Sequence, residues 1–266
     1  MRRYILPLII SLLAVVACAP KHNIDKRFDE GVSKELAEWR KATIHNVEYD
    51  LMFDLVANRG VAGVGFTLEK PQDIIIDFRR TELVTGVRMF DSNESVEYSL
   101  CNEHIVIPES VTRAGRQGFS IDFNVDNQSL NRRDEFLYTL LVPDRARTLF
   151  PCFDQPDMKA HYRLSLAIPE EWEAVSNTPV TTPEYDAEDW YDLDFGHTLP
   201  EGMKIVSFAR TEPLSTYLFS FVAGEFEART YDDGHHRFTA LSVLLNSTLS
   251  SSRWQRRWSG SKSTPA

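Results

Sequence analysis

The chain has 266 residues, 42% hydrophobic and 26% charged, an ordinary mixture for one or two soluble domains that excludes collagen, coiled coil and wholesale disorder. Its 39 acidic against 29 basic residues give a net charge of −10; gripping a phosphate backbone takes clustered cations, so nucleic acid is not an expected partner. Three cysteines cannot build a disulfide framework, and stability has to come from a packed core.

Residues 1–17 read as an export signal. Arg2 and Arg3 form a positive start, and Tyr4 to Ala17 is an almost unbroken apolar run, too short to span a bilayer comfortably. Val15-Val16-Ala17-Cys18 resembles a bacterial lipobox, which implies diacylation of Cys18 and a new N-terminus there; an ordinary secretory signal is the alternative. With Ala19 rather than Asp after the cysteine, the expected location is the bacterial cell envelope, anchored by lipid in the outer membrane. Residues 18–30 are then a polar tether.

Residues 31–43 hold the one helix expected before the main body. Ser33 can cap it, Glu35 suits its positive end and Arg40 and Lys41 its negative end, while Leu36, Trp39 and Thr43 share a face. It is expected to pack across the first sheet.

From Ile44 the dominant period is two, the signature of half-buried antiparallel strands. Tyr49, Leu51, Phe53 and Leu55 alternate with polar residues, as do Phe119, Ile121, Phe123 and Val125, and then Tyr162, Leu164, Leu166 and Ile168. Ile74 to Ile76, Ile105 to Ile107 and Tyr217 to Val222 are continuous apolar runs, expected where strands are covered on both faces. Asn58-Arg59-Gly60, Asp91-Ser92-Asn93 and Asp232-Asp233-Gly234 read as turns. With no useful helical period and no internal repeat in this stretch, residues 44–245 are expected to form one large all-β antiparallel sandwich or bent sheet.

Arg147-Thr148-Leu149-Phe150-Pro151-Cys152-Phe153-Asp154-Gln155-Pro156-Asp157 breaks the alternation. Pro151 and Pro156 fix the chain direction, and Asp154 can accept backbone N–H groups or pair with Arg147. A nucleophilic Cys152 or catalytic Asp154 would need a cationic neighbour or base that the local sequence does not name, so the segment reads as a rigid structural crossover. Cys101 and Cys152 read as two buried thiols rather than a disulfide.

The segment resembles the Phe-Pro-Cys-Phe-Asp-Gln-Pro motif of the N-terminal domain of aminopeptidase N-like zinc metallopeptidases. Trp172-Glu173-Ala174-Val175-Ser176-Asn177 and the stretch from Pro213 to Phe226 look like the same domain in the same order. The resemblance implies a saddle-shaped antiparallel β domain whose concave, partly apolar face covers a thermolysin-like catalytic domain. It also implies, for intact relatives, zinc-assisted removal of N-terminal residues from peptides.

That chemistry does not carry over. A catalytic zinc site in this family needs His-Glu-x-x-His; none of His22, His45, His104, His161, His197, His235 and His236 has that spacing, and the Gly-Ala-Met-Glu-Asn motif is missing too. No catalytic or metal-binding residue is therefore assigned, and zinc belongs to the full-length family only. The family's N-terminal domain usually lends the active site a Gln or Glu just before the Phe-Pro motif, but the corresponding Leu140 and Val142 are apolar. His235-His236 reads as a solvated hairpin tip. The acidic stretch Glu184, Asp186, Glu188, Asp189, Asp192 and Asp194 reads as an exposed insertion rather than a calcium loop.

Residues 246–266 change character: 21 residues with seven Ser, three Arg and one Lys, no acid, and Trp254 and Trp258. A frameshift or truncation before the catalytic domain is the expectation, and a natural basic tail the alternative. The expected product is the non-catalytic N-terminal domain of a zinc aminopeptidase, with its docking face exposed and prone to association. The other readings are a peptidase encoded over two chains and a stand-alone cell-surface β-sandwich module for glycans or proteins, for which Trp190 and Tyr191 are the clustered aromatic candidates.

Overall fold

A computed structural model describes residues 25–182, 187–232 and 237–243. Residues 1–17, Cys18, His22, Glu184, Asp186, His235, His236 and the tail 246–266 lie outside them. Two α-helices are described, α1 (Lys34–Thr43) and α2 (Ala187–Phe195). The strands in chain order are β1 (Ile44–Asp54), β2 (Arg59–Leu68), β3 (Ile74–Asp77), β4 (Val84–Met89), β5 (Ser99–Cys101), β6 (His104–Ile107), β7 (Gly115–Asn124) and β8 (Leu130–Arg132). There follow β9 (Phe136–Thr139), β10 (His161–Pro169), β11 (Glu173–Ser176), β12 (Met203–Phe208), β13 (Phe221–Gly224), β14 (Phe226–Asp232) and β15 (Arg237–Val243).

They form a six-stranded sheet in the order β12-β10-β1-β2-β7-β4, a four-stranded sheet β11-β13-β9-β8, a three-stranded sheet β3-β6-β5 and the hairpin β14-β15. The architecture is the expected all-β sandwich. One pairing departs from the antiparallel expectation: β1 and β10 run parallel, Tyr49 opposite Tyr162 and Leu51 opposite Leu164. A parallel pair needs a long connection, and everything from β2 to β9 supplies it.

The alternating residues of β1, β2, β7 and β10 point into one core shared by all three larger sheets. Aromatic rings tie them together: Phe78 meets Phe123 at 5.3 Å, Phe53 meets Phe221 at 5.5 Å, and Tyr162 stacks on Phe219 at 4.8 Å. The Ile runs are covered on both faces, as expected. Ile74, Ile76, Ile105 and Ile107 join the main core, while Ile75 and Val106 pack with Phe28 and Leu36 in a second cluster. Tyr217 to Val222 is not one strand; a single 3-10 turn, Thr216–Leu218, precedes β13 and leaves Leu218 exposed.

Helix α1 starts where its sequence says, with the Ser33 hydroxyl accepting the Leu36 N–H at 3.1 Å. It packs on the three-stranded sheet through Leu36, not across the large sheet. The polar-tether reading of residues 18–30 fails from Asp25 onward. Lys26–Phe28 form a 3-10 turn and Phe28 is buried in the same cluster, because one aromatic ring suffices to seat a short polar segment.

Helix α2 occupies the acidic stretch expected to be an exposed insertion. Tyr191 and Phe195, four residues apart and so on one helical face, bury against Met52, Val61 and Ala167 on the outer side of the large sheet. The Tyr191 hydroxyl donates to Asp54 at 2.6 Å, and Arg59 donates to the Phe195 carbonyl at 3.2 Å, placing a cation at the helix's negative end. Gly196, at φ 73°, ends the helix, its N–H donating to the Asp192 carbonyl at 2.8 Å.

Arg40, at the inner side of α1, is completely buried and grips the equally buried Asp77 through two hydrogen bonds of 2.7 and 2.6 Å. Burial raises the Asp77 carboxyl, but the Arg40 charge and the groups bonded to it outweigh that and hold it at about 2. Its folded value lies below the ordinary 3.8, so the stabilisation is complete above that pH and is lost as pH falls through about 2. Asp77→Asn should therefore cost about 3–5 kcal/mol in urea unfolding at pH 7, by leaving Arg40 buried and unpaired, and the cost should shrink towards pH 2.

Candidate functional site

The Phe-Pro-Cys-Phe-Asp-Gln-Pro segment bridges to β3 of the three-stranded sheet and reaches β1 of the large sheet, and each backbone N–H from Phe150 to Gln155 has a partner. Cys152 and Asp77 exchange two backbone hydrogen bonds, 2.8 and 3.1 Å. The Phe153 N–H donates to the Tyr49 hydroxyl at 2.8 Å, and the Asp154 N–H donates to the Asp77 carboxylate at 2.9 Å. Asp154 in turn accepts the Arg147 backbone N–H at 3.1 Å and the Thr216 hydroxyl at 2.7 Å. Gln155 donates to the Ala37 carbonyl in α1 at 3.1 Å, and the Pro156 carbonyl accepts the Ser215 hydroxyl at 2.6 Å. One connector thus clamps α1, β1, β3 and the turn before β13.

Arg147 pairs through its guanidinium with Glu103, which also holds Arg79 at 3.0 Å, and the Arg147 carbonyl accepts the Arg79 N–H at 2.8 Å. Phe150 is buried edge-on against Tyr49 and Phe219, and Pro151 is buried beside it. Arg40 lies over the Phe153 ring at 5.3 Å, so the cation that neutralises Asp77 also packs on the motif.

The two residues with conceivable chemistry are poorly placed for it. Burial, with Asp154 and Asp77 as neighbours, pushes the Cys152 thiol well above its ordinary value, away from the thiolate a nucleophile needs. Burial also raises the Asp154 carboxyl, whose two oxygens are occupied by Thr216 and Arg147. Cys152 and Cys101 are not bonded to each other; Cys152 is buried, and Cys101 only half so, contrary to the reading of two buried thiols.

Among the described residues no group of three His, Cys, Asp or Glu side chains is arranged to hold a metal. His104 is engaged by the Asp29 carbonyl at 2.8 Å and lies 2.9 Å from the Asp77 carboxylate, off the line of a hydrogen bond. His161 faces the Thr211 carbonyl at 2.8 Å. These imidazoles are built into the fold, and the described side chains do not fit a catalytic zinc.

The outer face of the four-stranded sheet is different in kind. Val175, Val222 and Tyr138 stand in register across β11, β13 and β9, and the Phe136 and Tyr138 rings stack at 6.3 Å. Beyond β9, Leu140 and Val142 are 46% and 53% exposed, and Val175 is 43% exposed. Core-side neighbours on the same strands, Leu137, Ala174 and Ala223, are buried. Leu140 and Val142, the apolar residues where the resemblance implies a Gln or Glu, are therefore part of a wider exposed apolar band. Tyr191, by contrast, is fully buried and contributes nothing to an aromatic binding surface; the Trp190 side chain lies outside the described residues.

Sequence reasoning missed the participants on the other side of the clamp, namely Arg40, Asp77, Glu103, His104 and the Tyr49 hydroxyl. Asp77 closes the Ile74–Ile76 run, and a carboxylate ending a fully buried strand was the one visible sign.

Residues 46–218 match the Peptidase M1 N-terminal domain. The chain is 35% identical over 226 residues to glutamyl aminopeptidase of Mus musculus, covering 73% of this chain and 22% of that protein. It is 40% identical over 85 residues to aminopeptidase N of Acetobacter pasteurianus, covering 31% of this chain and 20% of that protein. To glutamyl aminopeptidase of Rattus norvegicus it is 39% identical over 84 residues, 32% of this chain and 8% of that protein. The chain spans less than a quarter of these curated relatives. The family match takes in the Phe-Pro connector and most of the β body but not α1, and the chain belongs to the peptidase M1 N-terminal domain family, a domain of aminopeptidases.

Proposed function

We propose that this chain is the non-catalytic N-terminal part of a zinc aminopeptidase, and that residues 25–243 serve to present a docking face to a catalytic domain rather than to perform hydrolysis. The observation that carries this is the exposed apolar band of Tyr138, Leu140, Val142 and Val175, on and just beyond a sheet whose opposite face is core. The absence of His-Glu-x-x-His from the sequence supports the second half: with no pair of imidazoles one helical turn apart, the chain has no means of activating water in the family's way. Peptide substrates and zinc then belong to the assembled aminopeptidase. The purified chain should bind no stoichiometric zinc by elemental analysis and release no aniline from aminoacyl anilides; either signal would refute the reading. Leu140→Asp with Val142→Asp should reduce self-association in sedimentation velocity, since a docking face without its partner is sticky.

We propose further that the chain is exported and anchored in the bacterial envelope, in the outer membrane, through Cys18. The support is the positive start, the apolar run and the small residues before the cysteine. Metabolic labelling with an alkyne palmitate analogue should mark the chain, and Cys18→Ser should abolish the label and shift the protein to the soluble fraction; unchanged labelling would exclude this site.

A further inference from the structure

The outer face of the six-stranded sheet carries a groove of about 870 Å³. At one end α2 covers this face, with Asp194 at the groove's edge. Its floor is unusual because the central strand β2 contributes glycines there. A side-chain carbon on Gly63 would come within 2.8 Å of the Phe90 ring, and one on Gly65 within 2.8 Å of Glu48 Cγ. The two glycines thus let an aromatic ring and a carboxylate side chain lie low across the sheet, where ordinary side chains would fill the space. Phe90 keeps 41% of its surface exposed.

The walls are built of balanced ion pairs. Arg163 donates to Asp50 at 3.1 Å, Arg113 pairs with Asp91 at 2.7 Å, and Glu48 is bonded by Arg116 and lies 3.9 Å from Arg210. Ser165 and Ser207 add a hydroxyl pair, 2.9 Å apart. Burial raises the Asp50 carboxyl above its ordinary range and lifts Asp194 to about 6, so these two carboxyls are partly withdrawn from water.

Each candidate class of ligand meets this surface differently. An anionic ligand finds arginines already countered, and a cationic one finds carboxylates already countered. A lipid tail finds an aromatic ring on the floor but charged side chains along both walls. A peptide strand finds a sheet face rather than an edge, with its backbone groups spent in the β1-β2 and β2-β7 ladders. A neutral chain of sugars suits it: adjacent hydroxyls can bridge a guanidinium and its carboxylate, donating to one and accepting from the other, while a ring's C–H face rests on an exposed aromatic. We propose that this groove is a binding site for a neutral oligosaccharide, with Phe90 as the platform and the Asp50–Arg163 and Glu48–Arg116 pairs as the hydroxyl-reading walls.

The proposal is independent of the docking role, since Gly63 lies on β2 of the large sheet and Phe90 in the turn after β4, whereas the apolar band lies on the four-stranded sheet and just beyond β9. The test is isothermal titration calorimetry of the purified chain against maltohexaose, cellohexaose, xylohexaose and chitohexaose, with a heparin hexasaccharide and an uncharged hexapeptide as rivals. Saturable binding of at least one neutral sugar is expected, weakened about fivefold to tenfold by Phe90→Ala with an unchanged melting temperature. Asp50→Asn should weaken it as well; should that variant not fold, Phe90→Ala decides. The proposal is overturned if no neutral sugar binds at about 10 mM, if only heparin or the peptide binds, or if Phe90→Ala binds as well as the unsubstituted chain.

Discussion

The Asp77 carboxylate lies where four stretches of chain meet, and it has to stay ionised there without water. Arg40 reaches it from α1, His104 lies against it from β6, the Asp154 N–H comes from the Phe-Pro connector, and Asp77 itself ends β3. A buried pair of this kind contributes little net energy compared with a well-packed apolar substitute. Its effect is on register. Once Arg40 is committed to Asp77, α1 cannot slide along the three-stranded sheet, and the Cys152–Asp77 bridge sets where the connector crosses. The order Phe150, Phe153 and Asp154 then follows, each side chain reaching a different partner across the core.

Much of this was legible in the sequence, for physical reasons that can be named. The Ser33 cap and the charge order of α1 are local, and the structure reproduces them. The period-two strands are local as well, and one face of each large-sheet strand is core as the alternation requires. What could not be read are agreements between distant residues. Arg40 is 37 positions from Asp77, and nothing in the sequence around either one names the other as its partner. Helix α2 was obscured because its acids dominate its composition, although Tyr191 and Phe195 stand at helical spacing and Gly196 follows. Met52 and Val61 look like interruptions of the solvent face of β1 and β2 until that helix is laid on them. Phe28 was overlooked in the same way, as a lone ring in a polar stretch.

The candidate site divides along similar lines. The motif around Phe150 and Asp154 identified the family from sequence, while its local chemistry, a high thiol and a fully bonded carboxylate, emerges only with burial. The apolar replacements at Leu140 and Val142 were visible as oddities, but only the sheet shows that they extend a band through Tyr138 and Val175. The molecule thus presents two unlike surfaces on opposite parts of one sandwich. One is an exposed apolar band; the other is a charge-balanced groove floored by glycine.

The clamp at Asp77 makes a demand that can be measured one amide at a time. Native-state hydrogen exchange followed by NMR across a denaturant series reads the opening free energy of the Asp77, Cys152 and Asp154 amides. If the carboxylate holds the connector to the sheets, these three exchange only through global unfolding and share its denaturant dependence. Rapid exchange at Cys152 and Asp154, insensitive to denaturant while the β1 and β2 amides stay protected, would show a connector that opens by itself and would contradict the account.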